Sequence, residues 1–359
     1  MTSSISDSDQ VTQREDTTRL AWRRWLVVFC ATYFGLGALL FVLLLAVDPY
    51  DTGRFPNFGF VGIGDRSPRT AHASRGRDPH FNATVIGNST GQILDPYRLS
   101  RETGLRFTQL TIPATGPREQ LVIMRWVIAH HPSYGAFVIV TDPSWCSPDA
   151  NLPLIYPFPF WLYRGDLEYL ANVLSSKALD RVLYRIEIAL GLMQPVDPVG
   201  YSDYLVGKQP VFVPEPPPPP EDLGDIQLPP PLPWIGELRT FLSALPEGVR
   251  VVLAMPPVYY TSLAPPGSKQ AALMDACKAA LAKVVSTRPG SGFLDFRVDT
   301  AATRDATDFA DKVHYREKLA RYMEGRISAL LRSDRTDVDQ AAGDMSRVAG
   351  QPRANSRLP

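Results

Sequence analysis

Hydrophobic positions divide the chain into one long apolar run near the N-terminus and, beyond residue 80, short buried runs alternating with amphipathic segments. From Trp25 to Val47 there are 23 residues without a charge, which as a helix would extend about 35 Å and cross a bilayer. Arg14, Arg19, Arg23 and Arg24 precede this run, and Asp48 and Asp51 follow it. That asymmetry predicts residues 1–24 on the cytoplasmic side, a transmembrane helix over 25–47 and the rest of the chain outside. A cleaved signal peptide is the alternative, but the run is longer than the ~7 to 15 apolar residues of such a segment and no A-x-A site follows promptly. Residues 48–80, rich in Gly, Arg, Pro and Ser, read as an irregular juxtamembrane segment.

Order is expected from Phe81 onward. Ala83–Ile86 and Phe107–Ile112 have the β-branched and apolar character of buried strands. Pro117–His130 places Leu121, Met124, Val127 and Ile128 on one helical face behind a proline suited to a first turn. Ala136–Val140 and Arg250–Met255 are further apolar runs of the kind covered on both faces. A helix over Ala271–Val285, a strand over Phe293–Val298 and a closing helix over Tyr315–Leu331 complete a βαβα order. The economical fold is α/β: a three-layer α/β/α domain over residues 81–332 with a mostly parallel, doubly wound sheet, preceded by one transmembrane helix.

Between the strands ending at Val140 and Met255 lies an insertion too long for one crossover helix. It holds the aromatic-rich stretch from Tyr156 to Tyr169 and a proline-rich part at about residues 205–234, in which Pro210 to Pro233 includes eleven prolines. Such a tract favours extended polyproline II, as a semi-rigid surface crossing or a segment read by a partner. From Ser333 to Pro359 the composition turns small and polar, so 333–359 is expected to be a disordered tail.

Composition removes several functions. Basic and acidic residues balance at 37 each, which leaves no broad basic face for nucleic acid. Cys30, Cys146 and Cys277 are too scattered for a disulfide scaffold or a thiolate metal site, and free thiols are expected because 146 and 277 lie on segments with no evident contact. No zinc-protease or P-loop spacing occurs, so no metal or nucleotide cofactor is expected.

Two short stretches carry chemistry. Gly87-Asn88-Ser89-Thr90-Gly91 follows the first strand, where a sharp turn would expose the Ser89 hydroxyl. Its letters satisfy the G-x-S-x-G elbow of α/β-hydrolases, but in that fold several strands precede the serine. After the last strand, Asp311 and His314 stand three apart in Asp308 to Tyr315, a spacing that lets a carboxylate orient an imidazole toward a hydroxyl. A Gly-rich turn with a capping serine, and a capping aspartate beside a surface histidine, are the non-catalytic alternatives.

Together these stretches resemble the SGNH (GDSL-like) hydrolase superfamily. The anchor, the GNS serine, the Gly116-Pro-Arg-Glu-Gln helix start, Asp142-Pro-Ser-Trp145 and Asp311-Lys-Val-His-Tyr look like its membrane-anchored members associated with envelope-polysaccharide acylation. The resemblance covers about residues 81–332 outside the proline insertion. It implies Ser89 as nucleophile, His314 as general base and then acid, and Asp311 as the group orienting the imidazole. It also implies oxyanion donation by the Ser89 and Gly116 N–H groups, and a substrate pocket near Asn88, Asp142 and Trp145. The chain departs from the family at the third block, where Thr141-Asp142-Pro143-Ser144 stands without the G-x-N-D asparagine.

The implied function is an ester hydrolase or O-acyltransferase acting on an acyl ester or an envelope carbohydrate, held in the inner membrane with its domain in the periplasm. Partners would be the bilayer through 25–47 and envelope proteins. The alternative is a catalytically silent SGNH-fold scaffold of an envelope assembly complex.

Overall fold

A computed structural model describes residues 7–55, 67–194, 196–202, 212–217 and 229–333. The expected tail at 333–359, apart from Ser333, and most of the proline-rich stretch at 205–234 lie outside these residues. The N-terminal apolar run belongs to one continuous helix, α1 (Asp7–Val47). Its part from Thr18 to Val47 is long and apolar enough to cross a membrane.

Five parallel strands form the centre: β1 (Ala83–Gly87), β2 (Phe107–Thr111), β3 (Ala136–Val140), β4 (Arg250–Met255) and β5 (Gly292–Asp295), in the order β2-β1-β3-β4-β5. Every residue of β1, β2 and β3 is buried, as the apolar runs of β1 and β3 predict, and in β2 this includes the polar Thr108, Gln109 and Thr111. Alternation along the strands separates two cores. Ile86, Leu110, Phe137, Ile139, Val251 and Leu253 join one cluster, together with side chains of α4 (Pro117–His130), α8 (Pro233–Ser243) and α9 (Lys269–Val285). Val85, Phe107, Val138, Val140, Val252 and Leu294 join the other, with α3 (Pro96–Thr103) and α10 (Glu317–Arg332). The chain steps outward from β1 to β2 and then returns to β3 on the opposite side, so the first crossover lies on one face and the later ones on the other.

Local chemistry sets the helix ends. Asp95 accepts from Tyr97 N–H at 2.8 Å ahead of Pro96, and Gly104, at φ 76°, closes α3. Ser268 accepts from Ala271 N–H at 3.1 Å at the start of α9.

The segment after α1 differs from the irregular lead-in expected over 48–80. Asp48, Asp51 and Thr52 are buried, and Pro68–Arg75 forms a helix, α2. Asp48 accepts from Gly53 N–H at 2.8 Å and from the Thr52 hydroxyl at 3.1 Å, while Asp51 accepts from the Ser74 hydroxyl at 2.6 Å and pairs with Arg77. These local carboxylate bonds make a compact joint that no hydrophobic periodicity signals. His72, placed by sequence in an irregular region, is buried in α2 and bonds the Thr111 carbonyl through Nε2 at 3.0 Å. Burial, with Arg75 nearby, depresses its pKa to about 3.

The insertion folds into α5 (Phe160–Tyr163), α6 (Asp166–Val173) and α7 (Ser176–Ala189) before α8. Most of its aromatic rings serve as core: Phe158, Tyr163 and Tyr169 are buried in the α4-side cluster.

The expectation of free thiols is overturned for two of the three cysteines. Cys146 and Cys277 form a disulfide with Cα atoms 5.4 Å apart, and Cys30 is free. Cys146 ends the 3-10 turn Pro143–Cys146 after β3, and Cys277 lies on α9 after β4. Because β3 and β4 are neighbours in the sheet, their following segments meet, a proximity invisible at a separation of 131 residues. Alkylating the non-reduced, denatured chain should therefore modify Cys30 alone, and Cys146→Ser should lower unfolding stability by about 2–4 kcal/mol in a denaturant titration.

Candidate active site

β1 ends at Gly87, where a Cβ would stand 2.9 Å from Val140 Cβ and 3.1 Å from Val140 O. Only hydrogen fits. The chain then turns through a short 3-10 segment, Ser89–Gly91, whose own glycine would place a Cβ 3.0 Å from Thr111 Cγ2. Both glycines of the G-x-S-x-G letters thus let the turn press against β3 and β2. Asn88 caps it: its Oδ1 accepts from Thr90 N–H at 3.0 Å and from the Thr90 hydroxyl at 2.8 Å, and its Nδ2 donates to Asp142.

The histidine arrives from the other end of the chain. Between β5 and α10, Phe309 and Tyr315 form an antiparallel bridge, and Ala310 N–H donates to His314 O at 2.8 Å, closing a tight loop around Asp311. Asp311 Oδ1 accepts from the N–H groups of Val313 and His314, each at 2.8 Å. Its Oδ2 lies 2.7 Å from His314 Nδ1, and His314 Nε2 lies 2.9 Å from Ser89 Oγ. The chain Asp311–His314–Ser89 is therefore continuous, with the imidazole and the hydroxyl 225 positions apart in sequence. Partial burial pushes the Asp311 carboxyl upward, but the bonds from Val313 N–H and from the His314 ring and backbone outweigh it and hold its pKa below the usual value.

Tyr315, wholly buried, donates its hydroxyl to Thr90 O at 2.7 Å and so fastens the histidine loop to the serine turn. The sequence showed this tyrosine beside the histidine but gave no sign of its bond.

Asp142 follows β3 and meets Asn88 across the carboxyl edge of the sheet, also accepting from Ser144 N–H at 2.8 Å and from the Ser144 hydroxyl. Burial raises its pKa, opposed by the Ser144 bonds and by Arg297. Gly116 borders the same turn, since a Cβ there would lie 3.7 Å from Ser144 Oγ. Its N–H donates to Glu119 Oε2 at 3.3 Å, the one half of a capping box that a glycine can make, so in this conformation it serves the start of α4. The G-x-x-E spacing from Gly116 to Glu119 carried that signal in the sequence. Burial raises the Glu119 pKa.

Trp145 does not line an open pocket. It is fully buried in the α4-side core and donates Nε1–H to Gln120 Oε1 at 3.1 Å. A groove of about 960 Å³ instead begins one residue after Asp142, walled by Pro143, Cys146, Leu263, Met274, Lys278 and Arg297, without Ser89, Asp311 or His314. Among the described residues no group of three or more His, Cys, Asp or Glu is placed to hold a metal.

No protein-family model matches this chain, and no curated protein matches it in sequence.

Two outcomes test the site's construction. Gly87→Ala should destabilise the fold by about 2 kcal/mol, since the added methyl meets the β3 backbone, as read from thermal unfolding. Because the Asp311 pKa is depressed on folding, its contribution is present above about pH 4 and lost as the pH falls through the folded value. Asp311→Asn should therefore flatten the acid limb of the unfolding midpoint against pH.

Proposed function

We propose that this chain is a membrane-anchored ester hydrolase or O-acyltransferase of SGNH type, acting through a seryl ester at Ser89. The observation that carries this reading is the unbroken Asp311–His314–Ser89 chain at 2.7 and 2.9 Å. A serine hydroxyl is a poor nucleophile until an oriented imidazole takes its proton. In this reading His314 Nε2 accepts the Ser89 proton as Oγ attacks the acyl carbonyl, and Asp311 stabilises the imidazolium. Collapse of the tetrahedral intermediate breaks the ester bond, and the imidazolium returns the proton to the departing alcohol. Water or a second hydroxyl then gives its proton to His314 and attacks the seryl ester; the bond from the acyl carbon to Oγ breaks, the acyl group leaves on that acceptor, and His314 returns the proton to Ser89 Oγ. The two reactions differ only in that acceptor.

The two core clusters on opposite strand faces support a three-layer α/β/α arrangement for the domain. The Cys146–Cys277 disulfide supports a domain exposed to an oxidising compartment, hence an N-terminus in the cytoplasm and a domain in the periplasm. An envelope carbohydrate as acceptor is supported by the resemblance alone, because the aromatic rings between Tyr156 and Tyr169 are mostly core and only Tyr156 among them is exposed.

The catalytically silent scaffold is favoured by one observation: the Gly116 N–H expected in the oxyanion hole faces the Glu119 carboxylate, and no third-block asparagine replaces it. An active enzyme needs that long bond to open when the oxyanion forms.

A fluorophosphonate probe separates the two. The enzyme reading expects labelling of the full chain, its loss in Ser89→Ala, near loss in His314→Ala and a fall by orders of magnitude in Asp311→Asn, with the double variants far from additive. An unlabelled, folded wild type would favour the scaffold.

A further inference from the structure

Among the described residues, eleven large apolar side chains outside α1 are exposed, and seven of them lie between residues 167 and 192: Leu167, Leu174, Leu179, Leu183, Ile186, Leu190 and Leu192, from 38% to 83% exposed. Four of these, Leu179, Leu183, Ile186 and Leu190, recur at i, i+4, i+7 and i+11 and form a single stripe along α7. The buried side of the same helix, through Ala178, Val182 and Arg185, lies about 110° around the axis from this stripe, and the exposed Asp180 and Glu187 border the stripe on its other flank. A contiguous exposed apolar stripe of this kind marks a surface for contact with something other than water.

The place of this stripe identifies the partner. The Arg185 guanidinium donates to Val47 O at 3.1 Å and to Asp48 O, the carbonyls where α1 ends, and Tyr169 OH donates to Asp48 at 3.2 Å. The middle of α7 is thus pinned to the point where the apolar helix leaves its span. At 1.5 Å per residue, Leu179 and Leu190 lie within about 10 Å of Arg185 along the helix axis, so the whole stripe sits close to the end of α1. The segment 166–192 carries Lys177, Arg181 and Arg185 against Asp166, Glu168, Asp180 and Glu187. Three positive and four negative charges give no electrostatic attraction to anionic lipid, so apolar burial is the driving force.

We propose that the Leu179–Leu183–Ile186–Leu190 stripe of α7, with Leu167 and Leu174 of the preceding segment, docks into the surface of the same bilayer that α1 crosses, giving the domain a second membrane contact and a fixed tilt. The proposal rests on α1 as a membrane span.

The test uses the full chain in vesicles of phosphatidylethanolamine and phosphatidylglycerol with an environment-sensitive fluorophore on a single thiol. The positions are native Cys30 within the span and, in a Cys30→Ser background, Leu183→Cys, Ile186→Cys and Arg321→Cys, the last on the exposed side of α10. Retention of the Cys146–Cys277 disulfide checks the fold of each variant.

The expected result is that labels at 30, 183 and 186 are quenched by nitroxide-bearing lipid and lose access to aqueous iodide, while the label at 321 does the reverse, at low and high salt alike. Lipid quenching at 30 with free iodide access at 183 and 186 would overturn the docking and leave the span intact. Shielding from iodide without lipid quenching at 183 and 186 would overturn it in favour of a protein partner. No lipid quenching at 30 would remove the span itself, and the docking with it.

Discussion

Parallel pairing of β1 between β2 and β3 is the constraint on which the site depends. In a parallel sheet all strands end on one edge, and here the chain reverses direction between β1 and β3. At such a switch point the segments leaving the two strands diverge to opposite faces and leave a crevice between them. The Ser89 turn leaves β1 and the Asp142 turn leaves β3, so the crevice is bridged by the Asn88–Asp142 bond. Without Gly87 the two strand ends could not approach as closely as they do, since any side chain would meet Val140.

A polar network holds this edge in one geometry. Asn88 joins the serine turn to Asp142 and Tyr315 joins the serine turn to the histidine loop, while the half-buried Arg297 attracts the Asp142 carboxylate electrostatically. A buried acceptor left without its donor costs about 1–3 kcal/mol, so each bond disfavours alternative arrangements of the turns it links. The positions of Ser89 and His314 are in this sense set by groups that take no part in the proton transfers proposed for them.

The joint below the domain is built with the same economy. Asp48 and Asp51 adopt positive φ values of 46° and 47°, a conformation that aspartate tolerates better than most residues. Their carboxylates accept from Thr52, Gly53, Ser74 and Tyr169, and Arg185 closes the end of α1. The apolar helix therefore meets the domain through buried, directional bonds, and its orientation is coupled to the folded core.

The sequence by itself determined the apolar N-terminal helix, the strand runs of the sheet, and the residues of the serine and histidine stretches. These follow from periodicity, glycine placement and a three-residue spacing, all of which act over a few neighbours. Tertiary structure decided the rest. The helix at Pro68–Arg75, whose His72 bonds Thr111, the closing of the Asp48–Thr52 joint by Tyr169 and Arg185, and the core role of Trp145 depend on partners outside their own segments. So does the pairing of Cys146 with Cys277, which arises because adjacent strands carry their following segments together. The contact between Ser89 and His314 is of the same kind: the residues were legible, but only the order of strands in the sheet brings the two ends of the domain within 2.9 Å.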